Sequence, residues 1–305
     1  MQLHESIKKR LLFNRHLYRI RKDKEMMGFI QKLSIMTSSE TLDYIIKNKC
    51  NVSRYGDGEF AVMTGGSNGF QKKDNQLAQR LKDVIFTRNP KLFLCVPHTY
   101  KSFKGLTLDS KSFAAGFIIT FFKDSVMPYI SDDQTYGDSL FTRFYMSRSD
   151  KRSKEISEYV NRLRSIWAGQ DVLIVEGEFS RNGVGNDLFE NVQSLQRIIC
   201  PARDAFNRYD EILQSIRRHG KGKLVLMALG MTATVLACDL LNDGIWAIDL
   251  GHIDTEYEWF KMKAKKKVAI PGKYVNEVAE KGEYRNVLND KDDINYQAQI
   301  VDIIK

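Results

Sequence analysis

Four stretches of the 305-residue chain place titratable or anion-binding side chains directly after apolar runs. The first is Arg54-Tyr55-Gly56-Asp57-Gly58-Glu59. Read as extended chain, it projects Asp57 and Glu59 to the same side, where two carboxylates repel unless a proton or cation sits between them. Hard divalent ions such as Mg²⁺ or Mn²⁺ are held by one or two carboxylates plus substrate phosphates, and this spacing offers that pair. Gly56 and Gly58 leave room for a bulky ligand against the backbone. The bland reading of the same letters is a Gly-rich turn carrying solvated acids.

The second stretch runs from Val175-Glu176-Gly177-Glu178 through Arg181-Asn182-Gly183-Val184-Gly185-Asn186-Asp187 to Phe189. Its pattern is a strand end, a glycine loop and a helix start that Asn186 or Asp187 could cap. Free N–H groups there, with the Arg181 charge, would cradle a phosphate, although an ordinary strand-to-helix turn fits too. Neither Gly-x-Gly-x-x-Gly nor the Lys-containing P-loop pattern is present, so a dinucleotide cofactor or ATP hydrolysis is not indicated. The third, Ala228-Leu229-Gly230-Met231-Thr232-Ala233-Thr234, repeats the theme with a hydroxyl at Thr232. Two such turns suit a ligand with several polar sections, such as a nucleotide-linked molecule. The fourth is Asp249-Leu250-Gly251-His252-Ile253-Asp254 continuing to Glu256, Glu258 and Trp259. At period two His252 and Asp254 share a side, so His252 could hold a metal or touch a diphosphate, and Asp254 or Glu258 could act as a base. A lone His after a strand is otherwise structural. His98, after Val96-Pro97, is a weaker case, and His4, His16 and His219 read as surface residues.

These stretches need elements to hold them. Short apolar runs near Val52–Tyr55, Leu92–Val96, Val172–Val175, Arg197–Cys200, Leu224–Leu229 and Ile245–Leu250 read as strands. Helical patterns fall at 39–49, 110–123, 152–167, 187–196, 204–218 and 231–242. Strands alternating with helices imply βαβ units, a mostly parallel sheet and helices on both faces. The expected fold is therefore Rossmann-like α/β. The simplest division is a basic arm over 1–35, one domain over 36–280 and a polar peripheral helix or strap over 281–305. In open α/β sheets ligands bind beyond the carboxyl ends of the strands, where all four stretches lie.

Lys+Arg 47 against Asp+Glu 38 leaves +9, and residues 1–24 alone carry eight Lys/Arg against Glu5 and Asp23, or +6. Ile7, Leu11, Leu12, Phe13, Leu17, Tyr18 and Ile20 within that arm can line up as one apolar helical stripe beside the basic face. Such a helix either packs on the domain as a solvated element, lies on an anionic membrane or docks on an acidic partner. The run Lys261, Lys263, Lys265, Lys266 and Lys267 reads as a solvated helix end. With no nucleic-acid module around it, no nucleic-acid partner is expected. The longest apolar stretch, Phe113 to Phe122, is ten residues, short of the roughly 18 a membrane span needs. Cys95, Cys200 and Cys238 sit among apolar neighbours without any Cys-x-x-Cys pair, as buried free thiols do. With no secretory signal read at the start, a cytoplasmic location is expected, with the arm at the inner face of the cell membrane.

Taken together, the blocks resemble the GT-D-type glycosyltransferases, bacterial enzymes of surface-glycan and glycoprotein-glycan assembly. The resemblance rests on Arg54–Glu59, Tyr136-Gly137-Asp138 with Thr142-Arg143-Phe144-Tyr145, Gly177-Glu178 through Phe189, Leu229-Gly230 with Thr232-Ala233-Thr234, and Gly251–Asp254 with Glu256-Tyr257-Glu258-Trp259, in that order over about 50–260. It implies a nucleotide-sugar donor, a UDP-sugar in the characterised case, a divalent metal, and an Asp-x-Glu motif falling on Asp57 and Glu59. Met231 departs from the family pattern, where Pro is expected.

The expected reaction moves a hexose, glucose or galactose, from a UDP-sugar to a sugar hydroxyl of a surface polysaccharide or glycoprotein glycan, the acceptor being lipid- or protein-linked. Asp57, Glu59 and His252 would hold Mn²⁺ or Mg²⁺. Arg54, Gly56, Arg181, Asn182, Gly183, Gly185, Asn186 and Thr232 would bind the donor, and Asp254 or Glu178 would serve as base if the reaction inverts. A metal-dependent nucleotide or phosphate-ester hydrolase and a non-catalytic basic binding protein remain as alternatives.

Overall fold

Apolar runs of four to seven residues with no polar alternation are what strands become when helices cover both faces of their sheet. The computed structural model describes residues 2–69, 71–275, 278 and 294–305, and among these the runs assemble into one nine-stranded sheet. Its strands are β1 (Ser34–Ile35), β2 (Asn51–Arg54), β3 (Leu92–Val96), β4 (Thr135–Asp138), β5 (Asp171–Gly177), β6 (Ser194–Cys200), β7 (Leu224–Ala228), β8 (Trp246–Asp249) and β9 (Ile300–Ile303). They lie in the order β1-β4-β3-β2-β8-β7-β5-β6-β9, and every neighbouring pair is parallel.

The helices are α1 (Gln2–Lys22), α2 (Lys24–Lys32), α3 (Ser38–Asn48), α4 (Asp57–Met63), α5 (Asn75–Ile85), α6 (Leu108–Phe117), α7 (Ser153–Arg164), α8 (Tyr209–His219), α9 (Met231–Asp239), α10 (Ile253–Lys261) and α11 (Ile294–Gln299). Helix α6 continues as a wider π-type helix over Ile118–Val126. All six expected strands form, while β1, β4 and β9, two to four residues long, were not foreseen.

Successive strand residues face opposite ways, and the core divides accordingly. Leu94, Val96, Leu173, Val175, Val225, Met227 and Ala247 join one buried cluster. Their neighbours Phe93, Cys95, Val172, Ile174, Leu224, Leu226 and Ile248 join the other. Helix α9 is buried almost all round and packs on β2 and β8 beneath α5. Asn51 fastens it by donating to the carbonyls of Ala237 (2.8 Å) and Ile245 (3.0 Å).

Four expectations need correction. No helix spans 187–196: this segment runs as turns until β6 begins at Ser194, because Leu188 and Phe189 plug the core and ladder pairing with β5 draws Ser194–Cys200 into the sheet. The Asp57-Gly58-Glu59 segment is not extended but opens α4, with Gly56 at its N-cap. His252 and Asp254 do not share an extended side either, since His252 caps α10 and Asp254 lies in its first turn. The single apolar stripe of the arm is split between two opposite faces of α1. Of the polar tail, residues 279–293 lie outside the described residues, and 294–303 supply α11 and the edge strand β9.

Candidate active site

The strand order reverses between β2 and β8. From β2 the chain winds outward to β3 and β4, whereas β5 to β8 occupy the other half. At such a switch point the loops leave in opposite directions and open a crevice beyond the strand ends. β2 and β8 are joined there by a single ladder pair, Val52 with Ile248. The crevice is a cavity of about 430 Å³ that includes Arg54 to Glu59, Ser139, Arg143, Asp249, His252 and Asp254 in its lining, a volume ordinary for a small-molecule site.

Arg54 ends β2 and is the hub. Its guanidinium donates to the Ser139 carbonyl (2.9 Å), the Thr142 hydroxyl (3.0 Å) and Asp249 Oδ1 (3.2 Å), locking the β4 loop to the end of β8. Asp249 is buried. It also accepts from the Gly251 N–H (3.0 Å), and burial pushes its carboxyl above the usual carboxylate range. Gly251 has φ +52°, and a Cβ there would sit 1.8 Å from Arg54 Nη2. Only a residue without a side chain lets the guanidinium reach Asp249.

Asp57 and Glu59 occupy the first turn of α4. Asp57 is exposed, whereas Glu59 turns inward, accepting from the Gly56 N–H at 2.8 Å. Burial, then the Asp249 charge, push the Glu59 carboxyl up to about 7. The cavity thus brings three acids together, with the Arg54 guanidinium paired to one of them, Asp249. Across it, Arg143 Nη2 meets His252 Nδ1 at 3.1 Å. Glu256 of α10 anchors that loop by accepting from the N–H groups of Tyr145 (2.8 Å) and Met146 (2.7 Å).

The other expected residues are placed differently. Asp254 lines the cavity but is buried against Lys273 Nζ (2.7 Å), the Gly183 N–H (2.8 Å) and Asn186 Nδ2 (2.8 Å). Burial pushes this carboxyl above the usual carboxylate range against the pull of Lys273, but both of its oxygens are already engaged by hydrogen-bond donors of the protein, which leaves neither free for an acceptor hydroxyl. Glu178 is exposed and outside the lining. No helix begins at Asn186, whose Oδ1 accepts from the Leu188 N–H instead. With the Gly183 N–H engaged by Asp254, the helix-terminus phosphate cradle expected over Gly183–Asn186 is not built. The Asn182 amide is held by buried Glu176 (2.7 Å), itself paired with Arg197 at 2.5 Å. Arg181 packs over the Tyr296 ring at 5.1 Å. Arg181, Gly183, Gly185, Asn186 and the buried Thr232 all lie outside the cavity lining, while Arg54, Gly56 and Asn182 belong to it.

Asp249, Arg143 and Lys273 were given no role from sequence. Arg143 stood in a quoted motif and Asp249 headed another, so position after an apolar run was the available signal; Lys273 had none.

Among the described residues no three His, Cys, Asp or Glu side chains converge to cage a metal. The donor chemistry nonetheless fits a hard divalent cation of the kind that takes one or two carboxylates and completes its shell with phosphate oxygens and water. Asp57, Glu59 and Asp249 are such oxygen donors around one cavity.

A parallel α/β sheet with an acid-lined crevice at its switch point is an arrangement shared by enzymes that handle nucleotide-linked substrates. Residues 52–278 match the model of the glycosyltransferase GT-D fold family, and the chain belongs to that family. It is 34% identical over 272 residues to a Streptococcus gordonii protein named "Probable glycosyl transferase Gly" (89% of this chain, 39% of that protein). It is 38% identical over 269 residues to glycosyltransferase GlyD of Streptococcus pneumoniae serotype 4 (86% of this chain, 31% of that protein). The chain therefore spans about a third of the length of these curated relatives. A solved structure of the domain of unknown function 1792, described as having a distinct glycosyltransferase fold, superposes with a TM-score of 0.83 at 36% identity, covering 90% of this chain and 97% of that one.

Proposed function

We propose that this chain transfers a hexose from a UDP-sugar to a sugar hydroxyl of a glycan, with Mn²⁺ or Mg²⁺ bound at Asp57 and Glu59. The observation that carries the reading is the meeting of Asp57 and Glu59 with Asp249 in one cavity at the sheet's switch point, together with membership of the family. When bound, the cation would offset the charge that grows on the departing diphosphate. Arg54 holds Asp249 and the β4 loop in register, so the acids keep their places while substrate exchanges. Arg143 and His252 face the same space and can donate to phosphate or sugar oxygens. Asp254 serves here as a positioning residue that ties the 183–186 loop to α10, and Glu178 is not assigned as base. The lipid- or protein-linked nature of the acceptor and the choice between glucose and galactose belong to this proposal as its finer part.

The test is release of UDP from UDP-glucose and UDP-galactose, with and without a glycan acceptor, across a Mn²⁺ titration. Asp57→Asn and Glu59→Gln should each lower kcat/KM by about 100-fold or more, on the scale of losing a transition-state charge contact. Full turnover in EDTA, or undiminished activity in both variants, would overturn the metal assignment. Rapid UDP release that no acceptor stimulates would favour the hydrolase instead.

A further inference from the structure

Helix α1 lies outside residues 52–278 that match the family model, and its two faces do different work. Inward, Phe13 meets the Phe103 ring at 5.5 Å, Ile20 is buried, and Lys9 pairs with Asp109 of α6 at 2.8 Å. Helices α1 and α6 run alongside each other: Ser112 Oγ donates to the Lys9 carbonyl at 3.3 Å, and Gly116 faces His16. With α1 fastened this way, Ile7 (50% exposed), Leu11 (63%) and Tyr18 (57%) point outward. At 3.6 residues per turn these three fall within about 40° of one another, opposite Phe13, His16 and Ile20.

Lys8, Arg15, Arg19 and Lys22 flank this outer stripe on one side, Arg10 and Arg21 on the other. All six are exposed, and none forms an ion pair among the described residues. Lys22 Nζ stands 4.7 Å over the Tyr18 ring, the posture of a long basic side chain laid along apolar surface with its charge at the edge. The acid on this helix, Glu5, is turned to Lys9. Phe113 (64% exposed) and Phe121 (50%) add apolar area on the neighbouring α6 segment.

We infer that the outer face of α1 docks on an anionic lipid bilayer, with Ile7, Leu11 and Tyr18 entering the headgroup boundary and the flanking Lys and Arg meeting lipid phosphates. An apolar stripe bordered on both sides by unpaired positive charge is the chemistry of an interfacial helix. A second copy of the chain is a poor occupant, because self-association would press two such basic faces together. The π-type continuation of α6 packs on α4, which carries Asp57 and Glu59, so docking would hold the crevice within two helices of the membrane surface. The inference does not rest on the proposed reaction, and vesicle binding is read without any transfer.

The full chain is mixed with vesicles of phosphatidylcholine alone or with about one-third phosphatidylglycerol, at low and high NaCl, and sedimented. Binding is expected on the anionic vesicles at low salt and is expected to weaken as salt screens it. Leu11→Glu/Tyr18→Glu and Arg15→Gln/Arg19→Gln should each reduce partitioning by about tenfold or more. Their melting temperatures and near-UV circular dichroism should match the parent, since all four positions are exposed. Activity on a soluble acceptor should also be unchanged. Absent binding at low salt, equal binding to neutral vesicles, or variants that bind like the parent would each overturn the inference. So would a Leu11-dependent dimer in solution, or retention on poly-glutamate without retention on vesicles, which would assign the face to a second copy or to an acidic protein.

Discussion

The Arg54 side chain is held by groups from two separate parts of the chain, the β4 loop and the end of β8, and these partners on either side of the crevice define what a substitution would cost. Gly251→Ala would drive a Cβ to 1.8 Å from the guanidinium and force φ +52° on an alanine. The expected loss is about 1–3 kcal/mol of stability, read by urea unfolding, with a parallel fall in kcat/KM as Arg54 leaves Asp249. A different residue offers a pH-dependent check. Burial pushes the Cys50 thiol up to about 12, so the reactive thiolate is essentially absent at pH 8. A thiol reagent at pH 8 should therefore leave Cys50 unmodified in the native protein, take the half-buried Cys238 first, and reach all four cysteines only in denaturant; rapid labelling of Cys50 would refute this. The acids at 57 and 59 and the histidine at 252 were legible because each follows an apolar run by a few letters. The pairing that holds the site together was not. Arg54 and Asp249 are 195 residues apart, and no local spacing announces a pair closed only by strand order.

At the scale of elements, the β4 loop and α10 depend on one side chain. Glu256 is 1% exposed and accepts from two backbone N–H groups of that loop. Glu256→Ala would leave both donors buried without a partner, a loss of about 2–5 kcal/mol, and would loosen Arg143 and His252 together. Thermal melts should show the loss, and Glu256→Gln should recover part of it because its amide oxygen still accepts. The long strands were readable as apolar runs, whereas β1 and β4 are too short to carry a pattern of their own and exist because neighbours offer a ladder. The 187–196 segment misled in the opposite way: Leu188, Phe189 and Val192 have helix-like spacing, yet they fill core space from a turn tied down at Gly169 to Asn191 (2.8 Å) and Gln193 to Gln170 (2.8 Å). Helix α4 did carry a local sign. Glu59 three residues past Gly56 is the geometry of an N3 carboxylate reaching back to the cap N–H, an alternative to the extended reading.

For the molecule as a whole, the sheet separates two cores that should nevertheless fail together. Trp167 and Trp259 belong to one cluster and Trp246 packs against it, so tryptophan fluorescence follows that face alone, while far-UV circular dichroism follows both. Coincident urea transitions are expected because β3, β5, β7 and β8 each contribute side chains to both clusters; a fluorescence transition at lower urea would mean that the faces separate. The overall α/β plan was legible from alternation alone, but the strand order was not, since periodicity carries no record of which strands become neighbours. That order leaves its mark at the β2–β8 boundary, where one ladder pair and the Ala247 N–H bonded to Asn51 Oδ1 (3.0 Å) bridge the halves. A molecule seated across Gly56 and Gly251 would act as a cross-brace over this seam. Donor at about 100 times its Kd should then raise stability by about 2.7 kcal/mol, and amides flanking the seam should be the ones whose deuterium uptake slows most.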